Sequence, residues 1–140
     1  SGHIFFADKY YGYDDALYCA IRLINEIAHS GKKLSELTQH INNLKSTPEV
    51  RFEVDEAEKF DLVPRVYENL KSQSGEFEIN NIDGVRVTTP DGWWLLRPSN
   101  TQSVLVARAE AKTESGLKKL TDMACSQVEK IGYTLDFTKP

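Results

Sequence analysis

Gly92-Trp93-Trp94-Leu95-Leu96-Arg97-Pro98-Ser99-Asn100-Thr101, continued by Gln102 and Ser103-Val104-Leu105-Val106-Ala107, decides the fold of this chain. The first five residues read as a buried strand closed by Arg97, and the last five start another strand. Trp93 and Trp94 must point to opposite faces, so at most one of them belongs to a core. The corner between the strands holds a guanidinium, two hydroxyls and a carboxamide. An arginine fork fits phosphate bidentately, while hydroxyls, an amide and free backbone N–H groups can meet the remaining oxygens. Such a set suits a phosphate monoester, which carries about −1.5 to −2 charge at neutral pH. The plainer alternative is that Pro98, Ser99 and Asn100 are ordinary turn formers beside a solvated arginine.

Working outward, Thr89-Pro90-Asp91-Gly92 is a turn, so residues 83–88, 92–97 and 103–111 form consecutive strands. Upstream, Val50-Arg51-Phe52-Glu53-Val54 alternates as a half-buried strand, and Phe60, Val63, Tyr67 and Leu70 recur at helical spacing. Pro64 within that spacing belongs to a first turn or marks a kink. Leu117, Leu120, Ala124, Val128 and Ile131 give the last helix one apolar face. The order β-α-β-β-β-α predicts an α+β domain over residues 47–140: a four-stranded, mostly antiparallel sheet with helices on one face.

Residues 1–46 read differently. Asp14 and Asp15 precede Leu17, Ala20, Ile21, Ile24, Ile27 and Ala28 at helical steps, as an N-cap and a first-turn charge do. Gly31 ends that helix, and Leu34, Leu37 and Ile41 suggest a shorter one. Residues 42–48 read as a linker, with Thr47-Pro48 forcing extended backbone. Ile4-Phe5-Phe6 is a single apolar strand with no sheet to join, and an orphan strand leaves unpaired edges. Tyr10, Tyr11 and Tyr13 could pack the start of the helix or form a platform for a sugar. His29 and His40 fall near helix ends, where solvent satisfies them.

With 17 Lys and Arg against 21 Asp and Glu, the chain has a net charge of −4. That balance, without a basic stripe, argues against a nucleic-acid surface and disfavours RNA binding. It leaves room for one arginine to hold a small anion. No apolar run approaches the roughly 20 residues that span a bilayer, and no signal-peptide pattern heads the chain. Cys19 and Cys125 lie far apart at no zinc spacing and read as packed, reduced thiols of a cytoplasmic protein.

The chain opens Ser1-Gly2-His3-Ile4-Phe5-Phe6 and continues through Tyr10-Tyr11-Gly12-Tyr13-Asp14-Asp15-Ala16-Leu17-Tyr18. With Ile82-Asp83-Gly84-Val85-Arg86-Val87 and the Arg97–Thr101 corner, it resembles the C-terminal part of the α-D-phosphohexomutases over its whole length. The phosphomannomutase/phosphoglucomutase branch is the nearest in appearance. Ser1-Gly2-His3 looks like the end of that family's Gly-Glu-Met-Ser-Gly-His sugar-recognition loop. Arg97, Ser99, Asn100 and Thr101 match its Arg-x-Ser-Asn-Thr phosphate loop. Pro98 departs from a common Ala, and Ser103 from a frequent Pro. Asn100 favours the mannose/glucose branch over phosphoglucosamine mutases, which usually carry Gly there.

The resemblance implies that residues 1–46 are the tail of a preceding α/β domain, including the remnant of the sugar loop. It implies an enzyme that interconverts hexose 1-phosphates and 6-phosphates through a phosphoserine and a bisphosphorylated sugar. Magnesium on an Asp-rich loop would support the transfer, with both that loop and the phosphoserine outside this chain, so none would be bound here. Arg97, Ser99, Asn100 and Thr101 would hold the phosphate that is not reacting. Ser1 would touch a sugar hydroxyl, and His3 would lie beside the reacting phosphate. The partners expected are a hexose phosphate and the missing N-terminal domains, with no nucleic acid and no membrane. A competing reading, from the sheet alone, is a non-catalytic α+β module that binds a protein through its open face.

Overall fold

Alternation of apolar and polar side chains through the second half of the chain builds one antiparallel sheet. The computed structural model describes residues 2–39, 41 and 44–139, and it divides into two units, Ser1–Asn42 and Asn43–Pro140. In chain order the elements are α1 (Ala16–Ser30), α2 (Leu34–Leu37), β1 (Lys45–Ser46), β2 (Val50–Glu53), α3 (Lys59–Lys71), β3 (Glu78–Asn80), β4 (Val85–Thr89), β5 (Gly92–Pro98), β6 (Val104–Ala111) and α4 (Glu114–Lys130). None of the helices is long and apolar enough to cross a membrane, among the described residues.

In the second unit the strands run β1-β6-β5-β4-β3, and β2 also pairs with β6. The α+β layer is as expected, but the sheet is six-stranded because β1 and β3 join the four anticipated strands. β1 lies in the stretch read as a linker and pairs Lys45 with Ala111 and Ser46 with Glu110. The division between units therefore falls ahead of the expected 46/47 boundary. Thr47 extends the ladder: its N–H donates to the Ala109 carbonyl at 3.0 Å, and its hydroxyl accepts from the Ala109 N–H at 3.0 Å. Pro48 has no N–H to donate, so pairing lapses and resumes at Val50↔Ala107, one residue out of step. β3 escaped the sequence reading because it is short and polar.

Trp94 and Leu96 of β5 point to one face with Val85, Val87, Leu105, Ala107 and Ala109. Leu62, Val66 and Leu70 of α3, with Leu120, Ala124 and Val128 of α4, cover that face. Each such side chain contributes about 1.5–3 kcal/mol by leaving water. Trp93 lies on the opposite face, where the Arg86 guanidinium sits 4.6 Å from its ring centroid. Gly92 allows the β4–β5 turn to lie directly on β6, since a Cβ there would come within 2.1 Å of the Glu110 carbonyl oxygen. Pro64 sits inside α3. The apolar face of α3 is displaced from the expected one: Phe60 is 56% exposed, and Lys59 is buried instead.

In the first unit, Asp15 caps α1 by accepting from the Tyr18 N–H at 2.9 Å, and Gly31 closes it with φ 64°. The rest is held by polar and aromatic contacts. Tyr10 stacks on Tyr18 at 3.8 Å and its hydroxyl donates to Asp15. That bond holds the Asp15 carboxyl below its usual range and raises the Tyr10 hydroxyl. The tyrosines thus pack the start of the helix. Arg22 lies 4.4 Å from the Phe6 ring centroid and donates to Asp8. Ile4-Phe5-Phe6 forms no strand; Phe5 makes a single antiparallel bridge with Asp14. The Nδ1 atom of His29 is 2.8 Å from the Asn25 carbonyl oxygen, and His40 lies outside the described residues. Both cysteines are free thiols of intermediate exposure, and burial pushes the Cys125 thiol up.

Candidate anion-binding site

Arg97 is the penultimate residue of β5, and alternation turns it away from the core side chain of Leu96. Its backbone pairs with Val106, which pairs in turn with Arg51, so the two arginines flank Val106 on the open face of the sheet. The guanidinium is one-third exposed and lies 3.9 Å from Asp83, beyond hydrogen-bond reach of that carboxylate. Gly84 makes this approach possible. Its φ is 83°, and a Cβ there would stand 2.6 Å from the Arg97 Cβ and 2.3 Å from the Leu96 carbonyl oxygen.

The corner after Arg97 is organised by Ser99. Its N–H donates to the Val104 carbonyl at 3.0 Å and closes the loop. Its hydroxyl oxygen accepts from the N–H groups of Thr101, at 3.3 Å, and Gln102, at 3.2 Å. Ser99 is 7% exposed, so it is both a buried turn former and the owner of one hydroxyl proton that can still be donated. Asn100 and Thr101 are exposed. The loop thus places Arg97, Ser99, Asn100 and Thr101 at one corner, while three of its backbone N–H groups, those of Ser99, Thr101 and Gln102, serve the loop itself.

The far leg is tied down by residues to which the sequence reading gave no site role. Arg51 donates to the Gln102 side-chain carbonyl at 2.9 Å, and Val54 N–H donates to the Ser103 carbonyl at 3.0 Å. Lys59 donates to the Gln102 backbone carbonyl at 3.0 Å. A hollow of about 220 Å³ lies nearby among Phe60, Pro64, Tyr67, Asn81, Gly84 and Pro98, with a mainly apolar lining and no charged side chain.

His3 belongs to the first unit, where its Nε2 is 3.5 Å from the Asp14 carboxylate. Ser1 lies outside the described residues. No group of three His, Cys, Asp or Glu side chains converges on a possible metal position among the described residues.

Fold and corner together define the class: an antiparallel sheet layered with helices, carrying an arginine-headed polar loop at one strand-to-strand turn. Comparison with known proteins places it more narrowly. The signature of the phosphoglucomutase/phosphomannomutase C-terminal domain matches residues 49–127, and that of the family's alpha/beta/alpha domain III matches residues 1–44. The chain belongs to the phosphoglucomutase/phosphomannomutase family. It is 36% identical over 136 residues to a phosphomannomutase/phosphoglucomutase of Pseudomonas syringae pv. tomato, covering 97% of this chain and 29% of that protein. It is also 36% identical over 129 residues to a phosphoglucomutase of Neisseria gonorrhoeae, covering 92% of this chain and 28% of that one. A crystal structure of a phosphoglucomutase/phosphomannomutase family protein from Burkholderia thailandensis superposes with a TM-score of 0.76 at 33% identity, over 93% of this chain and 27% of that chain. The chain therefore spans under a third of the length of these relatives.

Proposed function

We propose that the second unit is the substrate-phosphate grip of a phosphohexomutase, an enzyme that interconverts hexose 1-phosphate and 6-phosphate of mannose or glucose. The observation that carries this reading is Arg97: a one-third-exposed guanidinium, paired among the described residues only with the exposed Asp83 carboxylate at 3.9 Å, at the head of a loop formed by Ser99, Asn100 and Thr101. The fork of Arg97 binds two phosphate oxygens, and the Ser99 hydroxyl, Asn100 amide and Thr101 hydroxyl supply further donors. None of these groups reads the sugar, so either phosphate of a substrate can occupy the corner while the other reacts.

Holding the idle phosphate fixes the distance of the sugar from the reacting centre, and such positioning lowers a phosphoryl-transfer barrier. The phosphoserine that exchanges phosphate belongs to a region this chain does not contain, so residues 1–140 alone do not turn over substrate. Magnesium, which the resemblance assigns to that region, finds no ligand set among the described residues, and no step here runs through it. Ser1 at a sugar hydroxyl and His3 beside the reacting phosphate belong to the same proposal, as does a cytoplasmic location.

Amide NMR with glucose 1-phosphate tests it. Shifts confined to residues 97–102 and abolished by Arg97→Ala are expected. A response spread over the open sheet face, unaffected by Arg97→Ala, would contradict the grip and favour an interaction module.

A further inference from the structure

Lys59 is the only buried lysine or arginine among the described residues, at 2% exposure. Lysines are almost never fully buried unless paired. Its ammonium has three donors and three close acceptors: Glu56 Oε1 at 2.9 Å, Glu56 Oε2 at 3.0 Å and the Gln102 backbone carbonyl at 3.0 Å. The ion pair at the start of α3 therefore grips the Gln102 backbone, next to the Ser103 carbonyl that the Val54 N–H holds.

Stability does not explain a charge in this place. Burying the Lys59 ammonium strips it of water, while its partner Glu56 stays exposed, so the pair is a weak source of stability. What the ammonium does, and a methyl group cannot, is hold the Gln102 carbonyl in one direction. That carbonyl is the far anchor of a loop whose near anchor is the Ser99–Val104 hydrogen bond.

We infer that Lys59 is a positioning residue for the anion corner. Together with Glu56, it fixes the leg at Gln102 and Ser103 so that Ser99, Asn100 and Thr101 present their donors in one arrangement. This rests on the phosphate reading of the corner, and its test separates the two.

The experiment uses the full 140-residue chain with inorganic phosphate as the probe, in wild type, Lys59→Met, Glu56→Gln and Arg97→Ala. Amide exchange and the phosphate dissociation constant are measured, with the urea midpoint as the control for folding. In Lys59→Met, exchange at Gln102 and Ser103 accelerates about tenfold relative to Val104–Ala111 and phosphate binding weakens about tenfold, the size of one lost charge-assisted hydrogen bond. Unchanged exchange and affinity in a folded Lys59→Met protein overturn the inference.

Should Lys59→Met fail to fold, Glu56→Gln decides, because Glu56 is exposed and a glutamine keeps a side-chain oxygen for the Lys59 ammonium, with the urea midpoint again the control for folding. Faster exchange confined to Gln102 and Ser103 supports positioning, and no local change overturns it. If phosphate binds wild type and Arg97→Ala equally, the anion reading fails. Exchange at Gln102 and Ser103 then still judges the anchor, faster exchange supporting it and unchanged exchange overturning it.

Discussion

The two units of this chain are ordered by different physics. In Asn43–Pro140, helices and sheet share an apolar layer in which Trp94, Leu62, Val66 and Leu105 reach full burial. In Ser1–Asn42, α1 buries no side chain, and Leu17, Ile21 and Ile24 stay largely exposed. That helix stands on its caps, on the Tyr10–Tyr18 stack and on Arg22 between Phe6 and Asp8. Local contacts of this sort specify a shape but contribute little free energy, because exposed ion pairs are worth little. The phosphate grip proposed for the Arg97 corner would need fixed geometry, and that corner lies on the first kind of scaffold.

Core truncation should separate the units most sharply. Leu62→Ala is expected to cost about 2–5 kcal/mol in urea unfolding, whereas Ile21→Ala should change stability by no more than about 0.5 kcal/mol. Comparable costs at the two sites would mean that α1 is packed in solution. Gly84→Ala should follow, at about 1–3 kcal/mol from its left-handed backbone alone. That substitution also pushes on Arg97, so phosphate affinity should fall with stability. A stable variant with unaltered binding would show that Gly84 does not set the arginine.

Acid should affect the first unit before the second, because the second, although Glu56 and Asp136 there are also held below their usual range, rests mainly on its apolar layer. The Tyr10 hydroxyl and the Tyr18 N–H hold Asp15 below its usual range, and Arg22 does the same for Asp8. A depressed folded pKa stabilises above the ordinary aspartate value of about 3.9 and loses that effect as pH falls through the folded value. Helical circular dichroism should therefore begin to fall in that window while Trp93 and Trp94 fluorescence, both from the second unit, holds. Simultaneous loss of the two signals would contradict separate ordering. Amide exchange gives the finest distinction: Phe5 and Phe6 should exchange faster than Val104–Ala111, and equal protection would erase the contrast.

How legible each region was in sequence follows the same division. The strands around Gly92–Pro98 and Val104–Ala111 were plain, because long apolar alternation has only one comfortable packing. The caps of α1 were legible because Asp15 and Gly31 act on their own neighbours, but the expected first-turn charge is absent: Asp15 is the cap and Asp14 precedes the helix. Ile4-Phe5-Phe6 misled: apolar content suggests a strand, but a strand needs a partner, and the described residues offer only Asp14. Lys59 was hidden, since periodicity assigns a lysine to solvent. What buries it is the Gln102 carbonyl, far along the chain. The members of the corner could be named from their residue types, whereas the use of the Ser99 hydroxyl as the organiser of the turn could not.

The most direct test of the account is the affinity for inorganic phosphate in wild type, Arg97→Ala and Asp83→Asn. Arg97 supplies the attraction, and the exposed Asp83 carboxylate, 3.9 Å away, opposes it. Arg97→Ala should abolish binding, and Asp83→Asn should tighten it about two- to fivefold at low salt. Unchanged binding in Arg97→Ala, or weaker binding in Asp83→Asn, would contradict an arginine-headed phosphate grip.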